Sequence, residues 1–419
     1  MGKESLTFFF PFRNPSGVSN LFARLANHLA SDPDLRVQVI DYENGQMAQE
    51  VAANPKVTRI AFEDGVPIRI PDDSILVLQS TLPSKMRPEL CPDPSTRMIF
   101  WHVLYYNLVQ VILPFPGLRN LQFRFPGLSK KLMNLRPGLK GALSGFASLI
   151  NASGALVIQD RSTLEQTEQA LDCTLPEPTI IPLPLVMPPH RLRTSGLGEG
   201  PLRVAWVGRL YDFKVHILAY ALQRLSAYAR TAERAMVFHL VGDGPEQASI
   251  RRLDLQHDLF RLDLVGPVPG SELSQYLLDH ADLVLAMGTS ALEGGKLGIP
   301  TILLDFSLAP VRGDYRFRWL FEAKGGDVGH EIGPGDLAPG EDSLGKALGN
   351  LEADFEGLSR ACYRHCLENH EISVIADRFK AFLGTSRFRY QDIPPALLRR
   401  SLPRRIYYFF KFGRNQKGK

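Results

Sequence analysis

The chain has 419 residues, 44% of them hydrophobic and 22% charged, with a mean hydropathy of −0.08. At roughly 150 residues per domain this predicts two or three globular domains, and the composition excludes a disordered or collagen-like chain. The net charge of +4 is unevenly placed. Residues 94–159 hold seven Lys/Arg and no acid, and residues 387–419 hold ten with one acid, Asp392, so these 99 residues carry +16 and the other 320 carry −12.

The first half alternates strands and helices. LTFFFPF (6–12) reads as a strand, NPSG (14–17) as a turn, and 18–30 as an amphipathic helix with Val18, Leu21, Phe22, Leu25 and Leu29 on one face. Strands follow at 38–43, 74–80, 97–103 and 154–160. They are continuous apolar runs, the pattern of strands buried on both faces in a parallel sheet. Residues 98–118 lack formal charge over 21 residues, long enough to span a bilayer. Because they include His102, Asn107, Gln110, Pro114 and Pro116, a strand followed by a buried or interfacial element is expected instead. Segment 105–145 mixes Tyr105, Tyr106, Phe115, Phe123 and Phe125 with basic residues. That chemistry suits an anionic membrane surface, or an insertion packed on its own domain.

Pro and Gly concentrate at 182–200, which predicts a linker near 186–200. The pattern then restarts with strands at 202–208, 236–242, 262–266, 283–287 and 301–305, and a helix from about His216 to Arg230: a second doubly wound domain. A last helix at 372–384 precedes a tail in which Arg399, Arg400, Arg404 and Arg405 stand beside Tyr407, Tyr408, Phe409, Phe410 and Phe412. Cations among aromatics also suit single-stranded nucleic acid, but no recognised nucleic-acid motif accompanies them and none is expected as partner. Four cysteines are too few for a disulfide scaffold and point to a reducing compartment. Cys362 and Cys366 flank His365 without a second ligand pair, so no metal site is expected. No secretory signal is visible.

Ligands of open α/β sheets bind beyond the carboxyl ends of the strands. After the strand at 202–208 stand Gly208, Arg209 and Lys214: a glycine permitting close approach, and two cations able to neutralise a diphosphate. After 236–242 comes Gly242-Asp243-Gly244-Pro245-Glu246, with Pro245 suited to a first helical position. After 283–287 comes Gly288-Thr289-Ser290-Ala291-Leu292-Glu293-Gly294-Gly295, whose small residues leave amides open at a helix start. Ser290 and Glu293 fit a capping box; alternatively Glu293 accepts hydrogen bonds from a ribose diol. In the first half, Gly17 lets the backbone approach a phosphate or sugar, or belongs to a turn with Ser16 capping the helix. His102 ends a strand, either as a hydrogen-bonded core residue or as a base.

VGRL-x3-K, then VGDGPE, then GTSALEGGKLGIPTI resembles the donor domain of GT-B glycosyltransferases, in particular the family-4-like group. The resemblance covers most of 202–305 and extends more loosely over the chain. It implies an α/β GT-B fold: two Rossmann-like domains facing a cleft, 1–190 for the acceptor and 200–371 for the nucleotide sugar, with 372–419 as a returning helix and basic aromatic tail. It places Arg209 and Lys214 on the donor diphosphate, and the amides of Thr289 and Ser290 on phosphate. Glu293 falls on the ribose, the loop from Gly266 to Val268 on the base, and Gly17 and His102 at the cleft. The chain departs from the family where the paired-glutamate motif has its first Glu, here Leu285, and where Val215 and His216 replace the usual Gly after the Lys.

The expected protein is a cytoplasmic glycosyltransferase bound peripherally to the inner face of the plasma membrane through 105–145 and 387–419. It uses a nucleotide diphosphate sugar as co-substrate, no other cofactor, and a glycan or lipid-linked glycan as acceptor. A sugar-nucleotide epimerase or hydrolase, or a degenerate scaffold, fits the same residues.

Overall fold

The computed structural model describes residues 3–13, 16–71, 74–104, 106–109 and 137–399. Most of segment 105–145 and the tail beyond Arg399 lie outside the described residues. The chain divides into two compact units, 1–184 with 372–419, and 185–371. Among the described residues no helix is long and apolar enough to cross a membrane.

The first unit is built on a seven-stranded parallel sheet. Its strands are β1 (Glu4–Phe9), β2 (Leu35–Asp41), β3 (Thr58–Ala61), β5 (Ser74–Gln79), β7 (Arg97–His102), β8 (Leu156–Ile158) and β9 (Thr179–Ile180), in the order β3-β2-β1-β5-β7-β8-β9. A separate parallel pair joins β4 (Ile68–Ile70) to β6 (Leu90–Pro92). β1, β5 and β7 are buried along nearly their whole length because helices cover both faces. Helix Gly17–Leu29 lays Leu21, Phe22, Leu25 and Leu29 on the sheet.

Two basic segments are tied into this unit. Helix Pro137–Ala152 buries Leu143, Phe146, Ala147 and Ile150 in the core of this unit, while Gly138, Gly141 and Ala142 at its start stay exposed. Helix Ile372–Thr385 sets Phe379 against Phe8 and Trp101, at 6.3 and 5.2 Å between ring centroids. Phe388 then packs on Phe100 and Phe146, and its carbonyl accepts from the Met98 amide. The described start of the basic tail is therefore a structural closure: Phe388 and Ile393 are buried while Arg387 and Arg389 stay exposed.

The second unit carries a six-stranded sheet of β10 (Leu202–Val207), β11 (Met236–Val241), β12 (Phe260–Gly266), β13 (Leu283–Ala286), β14 (Thr301–Leu303) and β15 (Arg318–Trp319). The order is β12-β11-β10-β13-β14-β15, parallel except for β15. This doubly wound order puts the topological switch between β10 and β13. The helix after β10 runs Asp212–Thr231, starting four residues before the expected point.

The stretch expected to be a linker is docked on the second unit. Arg193 and Asp282, each 4% exposed, pair at 2.7 Å, and Arg203 shares the same carboxylate. Arg191 forks onto Glu356 and donates to Ser359.

Candidate functional site

The switch point gathers three of the four sequence-predicted donor elements. β10 pairs with β13 in the register Val204–Leu283, Ala205–Val284 and Trp206–Leu285, so Arg209 and Gly288 leave neighbouring strands at the same sheet edge. β11 flanks β10 on the other side, with Val207 opposite Val241, which brings Gly242 beside Gly208.

The loops after β10 and β11 are joined backbone to backbone. Gly208 N–H donates to the Val241 carbonyl at 3.0 Å, Leu210 N–H to Asp243 at 2.8 Å, and Glu246 N–H to Leu210 at 3.1 Å. A Cβ on Gly242 would stand 2.1 Å from the Gly208 oxygen, and one on Gly244 2.4 Å from the Leu210 oxygen. Gly242, expected as a donor-binding residue, therefore has a packing role: it lets the second loop brace the first. Pro245 does not open a helix. Helix Gln247–Arg251 begins two residues later, and the proline belongs to the turn. Under Gly208 lies the buried Trp206 indole, whose N–H has no acceptor among the described residues.

Arg209 and Lys214 project from the braced loop. The Arg209 guanidinium lies over the Tyr211 ring at 4.9 Å, and the Lys214 ammonium over Phe213 at 5.7 Å. Among the described residues neither is paired with a carboxylate. Burial lowers the half-buried Lys214 ammonium to about 8, and the charge of Arg209 adds to that. Two cations holding one another unfavourably, with only ring faces beneath them, form a site that an anion would relieve.

Beside them starts helix Thr289–Leu297. Its cap is Gly288, at φ 65°, a conformation that favours glycine, and no side chain caps the helix. The Ser290–Glu293 capping box therefore does not form. The amides of Thr289 and Ser290 open the helix with no acceptor among the described residues. Glu293, one turn on, pairs with Lys296. Gly294 and Gly295 serve packing: a Cβ at either would press on Thr301 and Val284, or on Leu320 and Cys366. Gly266, at φ 82°, faces open space, and Val268 is half-buried in the loop that follows β12.

Two expected site residues belong to the first unit. Gly17 is the first residue of its helix, and the Ser16 hydroxyl accepts from the Val18 amide at 3.2 Å, so this stretch is a capped helix start. A Cβ at Gly17 would meet nothing within 4 Å. His102 is 0% exposed. Thr167 donates its hydroxyl to the Thr163 carbonyl, so its oxygen accepts from His102 Nε2 at 2.8 Å; Nδ1 then accepts from Ser80 at 2.6 Å. Both ring nitrogens are occupied, and burial drops the imidazole to about 3. Of the two readings of His102, this geometry fits the hydrogen-bonded core residue: the imidazole is neutral and both its nitrogens are already engaged.

One polar cluster had no signal in the sequence. Asp305 after β14, Arg318 on β15, and Asp327, His330 and Asp336 in the following loops converge although 31 residues separate the first from the last. Asp305, His330 and Asp336 are close enough together to hold a metal ion. However, His330 faces Asp327 and Asp336, each at 3.0 Å, and Arg318 reaches Asp305 and Asp327. Burial opposes the charge on His330, but hydrogen bonds to Asp327 and Asp336 and the charge of Asp305 outweigh it and raise the group to about 10. An imidazolium donating from both nitrogens is not a metal ligand.

No family model matches the chain, and no curated protein matches it. Solved structures do. The Anabaena protein HepE, solved with UDP and glucose, superposes with a TM-score of 0.52 at 12% identity, over 91% of this chain and 100% of that one. The lipopolysaccharide outer core galactosyltransferase WaaB, in its apo form, gives the same score, identity and coverages. A TarM variant from S. aureus, solved with fondaparinux, α-GlcNAc-glycerol and UDP, gives 0.50 at 8% identity over 90% of this chain and 99% of that one. The chain has the GT-B fold of these glycosyltransferases.

Proposed function

We propose that the chain is a glycosyltransferase drawing its sugar from a nucleoside diphosphate donor, without need of a metal. The observation that carries this is the pair Arg209 and Lys214, without carboxylate partners among the described residues, at the switch point beside the open start of helix Thr289–Leu297. The neighbours solved with UDP favour uridine as the nucleoside.

As the bond from the sugar to the diphosphate breaks, negative charge grows on the leaving oxygen. Arg209 and Lys214 neutralise it, and the Thr289 and Ser290 amides orient the phosphates. All four are in place before the reaction, so little reorganisation is needed as the charge develops. Glu293, paired with Lys296, accepts from the ribose hydroxyls. The loop from Gly266 to Val268 holds the base. The acceptor in this reading is a glycan or lipid-linked glycan of a polysaccharide or cell-envelope pathway. In this reading the protein is cytoplasmic, and the charge concentrated in 105–145 and 387–419 supports its peripheral attachment to an anionic membrane.

Calorimetry with UDP and a panel of nucleotide sugars tests the donor site. Lys214→Ala should weaken UDP by roughly 10- to 100-fold, the loss of one charge-assisted hydrogen bond. Unchanged affinity in both Lys214→Ala and Glu293→Ala would sink the assignment. Donor turnover without any acceptor would instead identify a hydrolase, and binding without turnover a scaffold.

A further inference from the structure

We propose that His330 is a positioning residue for the phosphate-binding turn: it holds the segment that fixes the backbone at the start of helix Thr289–Leu297. The inference rests on the donor-site reading above.

The link is a single hydrogen bond. Gly288 N–H donates to the Val328 carbonyl at 2.6 Å. It fixes the peptide immediately before the two open amides, at the residue whose positive φ turns the chain into the helix. Val328 lies between Asp327 and His330, and this short stretch is tied down on every side. His330 N–H donates to Asp305, and the His330 carbonyl accepts from Phe306 N–H at 2.7 Å. Gly329, at φ 108°, sits so close to Leu304 that a Cβ would stand 2.5 Å from its oxygen and 3.1 Å from the Met287 side chain. The segment is thus wedged under the residues that lead from β13 into the helix.

The charges explain why a histidine does this work. Asp305, Asp327 and Asp336 converge here, and Arg318, which touches Asp305 and Asp327, brings a single positive charge against their three negative ones. A protonated His330 supplies the second positive charge and bridges Asp327 to Asp336 through opposite ring edges. Without that bridge Asp327 and Asp336 repel, and the peptide between them loses the anchor that presents Val328 to Gly288. The residue touches no substrate in this scheme; it acts through one main-chain hydrogen bond on two amides.

The test uses the full chain carrying His330→Gln, with Asp336→Asn as a second variant that removes the same bridge from its other end. Hydrogen exchange of the protein without ligand is read over residues 286–292. Both variants should speed exchange there about tenfold while β10 and β11 stay unchanged. UDP titration should show about tenfold weaker binding, roughly 1.4 kcal/mol, as the two amides lose their fixed orientation. The donor KM should rise and kcat change less. In a Thr289→Pro background, which removes one of the open amides while suiting a first helical position, the His330→Gln effect should shrink. Unchanged exchange at 286–292, or an undiminished effect in the Thr289→Pro background, would overturn the proposal. A wild-type protein that binds no UDP would overturn the donor site instead, and the exchange measurement would still decide whether His330 braces the turn.

Discussion

Burial lowers the Lys214 ammonium to about 8 from 10.5, so the unfolded chain holds that proton more tightly. Between these values the unfolded state binds more protons, and the group makes the empty fold more stable as pH rises through that window. A bound diphosphate reverses the preference. UDP affinity should therefore fall as pH rises from 8 towards 10, and binding there should take up a proton. Calorimetry in two buffers of different ionisation heat measures this, and Lys214→Met should flatten the profile; a slope that survives the substitution would assign the proton elsewhere. Arg209 and Lys214 were legible because they follow a strand end within one short motif. His102 stayed open between two readings because the groups that saturate it, Ser80 and Thr167, lie 22 and 65 residues away. A buried, satisfied histidine and an exposed base look alike in a sequence. The His330 cluster was silent for the same reason, its carboxylates being spread over loops with no spacing rule.

Elements read well from the chain where both faces are buried. β1, β5, β7, β10, β11 and β13 are mostly buried and rich in apolar residues, and both parallel sheets were read from them. β3, whose Thr58, Arg59 and Ala61 are exposed, carries no such run and was not foreseen. The segment before β10 read as a linker because Pro and Gly concentrate in it, and the partners that hold it, Glu356 for Arg191 and Asp282 for Arg193, lie far along the chain. The braced loops after β10 and β11 make a sharper claim. Gly242→Ala would push a methyl into the Gly208 carbonyl at a positive φ, and should destabilise the second unit by roughly 3 kcal/mol. Thermal unfolding should show its transition lowered, and UDP binding should weaken with it. A transition unchanged within error would mean that the loops are not interlocked as described.

On the scale of the molecule, the first unit is discontinuous: residues 372–419 return to complete what 1–184 begin. Phe379 and Phe388 are fully buried members of its core. A chain ending at Glu371 should lose the cooperative melting of the first unit, bind a dye for exposed apolar surface, and keep a transition for the second. Two transitions in the truncated chain would show that the closing helix is dispensable. The same discontinuity bears on biosynthesis. A ribosome delivers the first 184 residues, then the intervening 187 (185 to 371), before the helix that caps the first core can emerge. At about 5–20 residues per second that interval is roughly 10–40 s. Throughout it the nascent chain displays the faces of Phe8 and Trp101 that Phe379 will cover. The second unit, contiguous in sequence, needs no such wait and can fold first, so the order of folding inverts the order of synthesis. Demand on holding chaperones should accordingly be greatest while the middle of the chain is being translated.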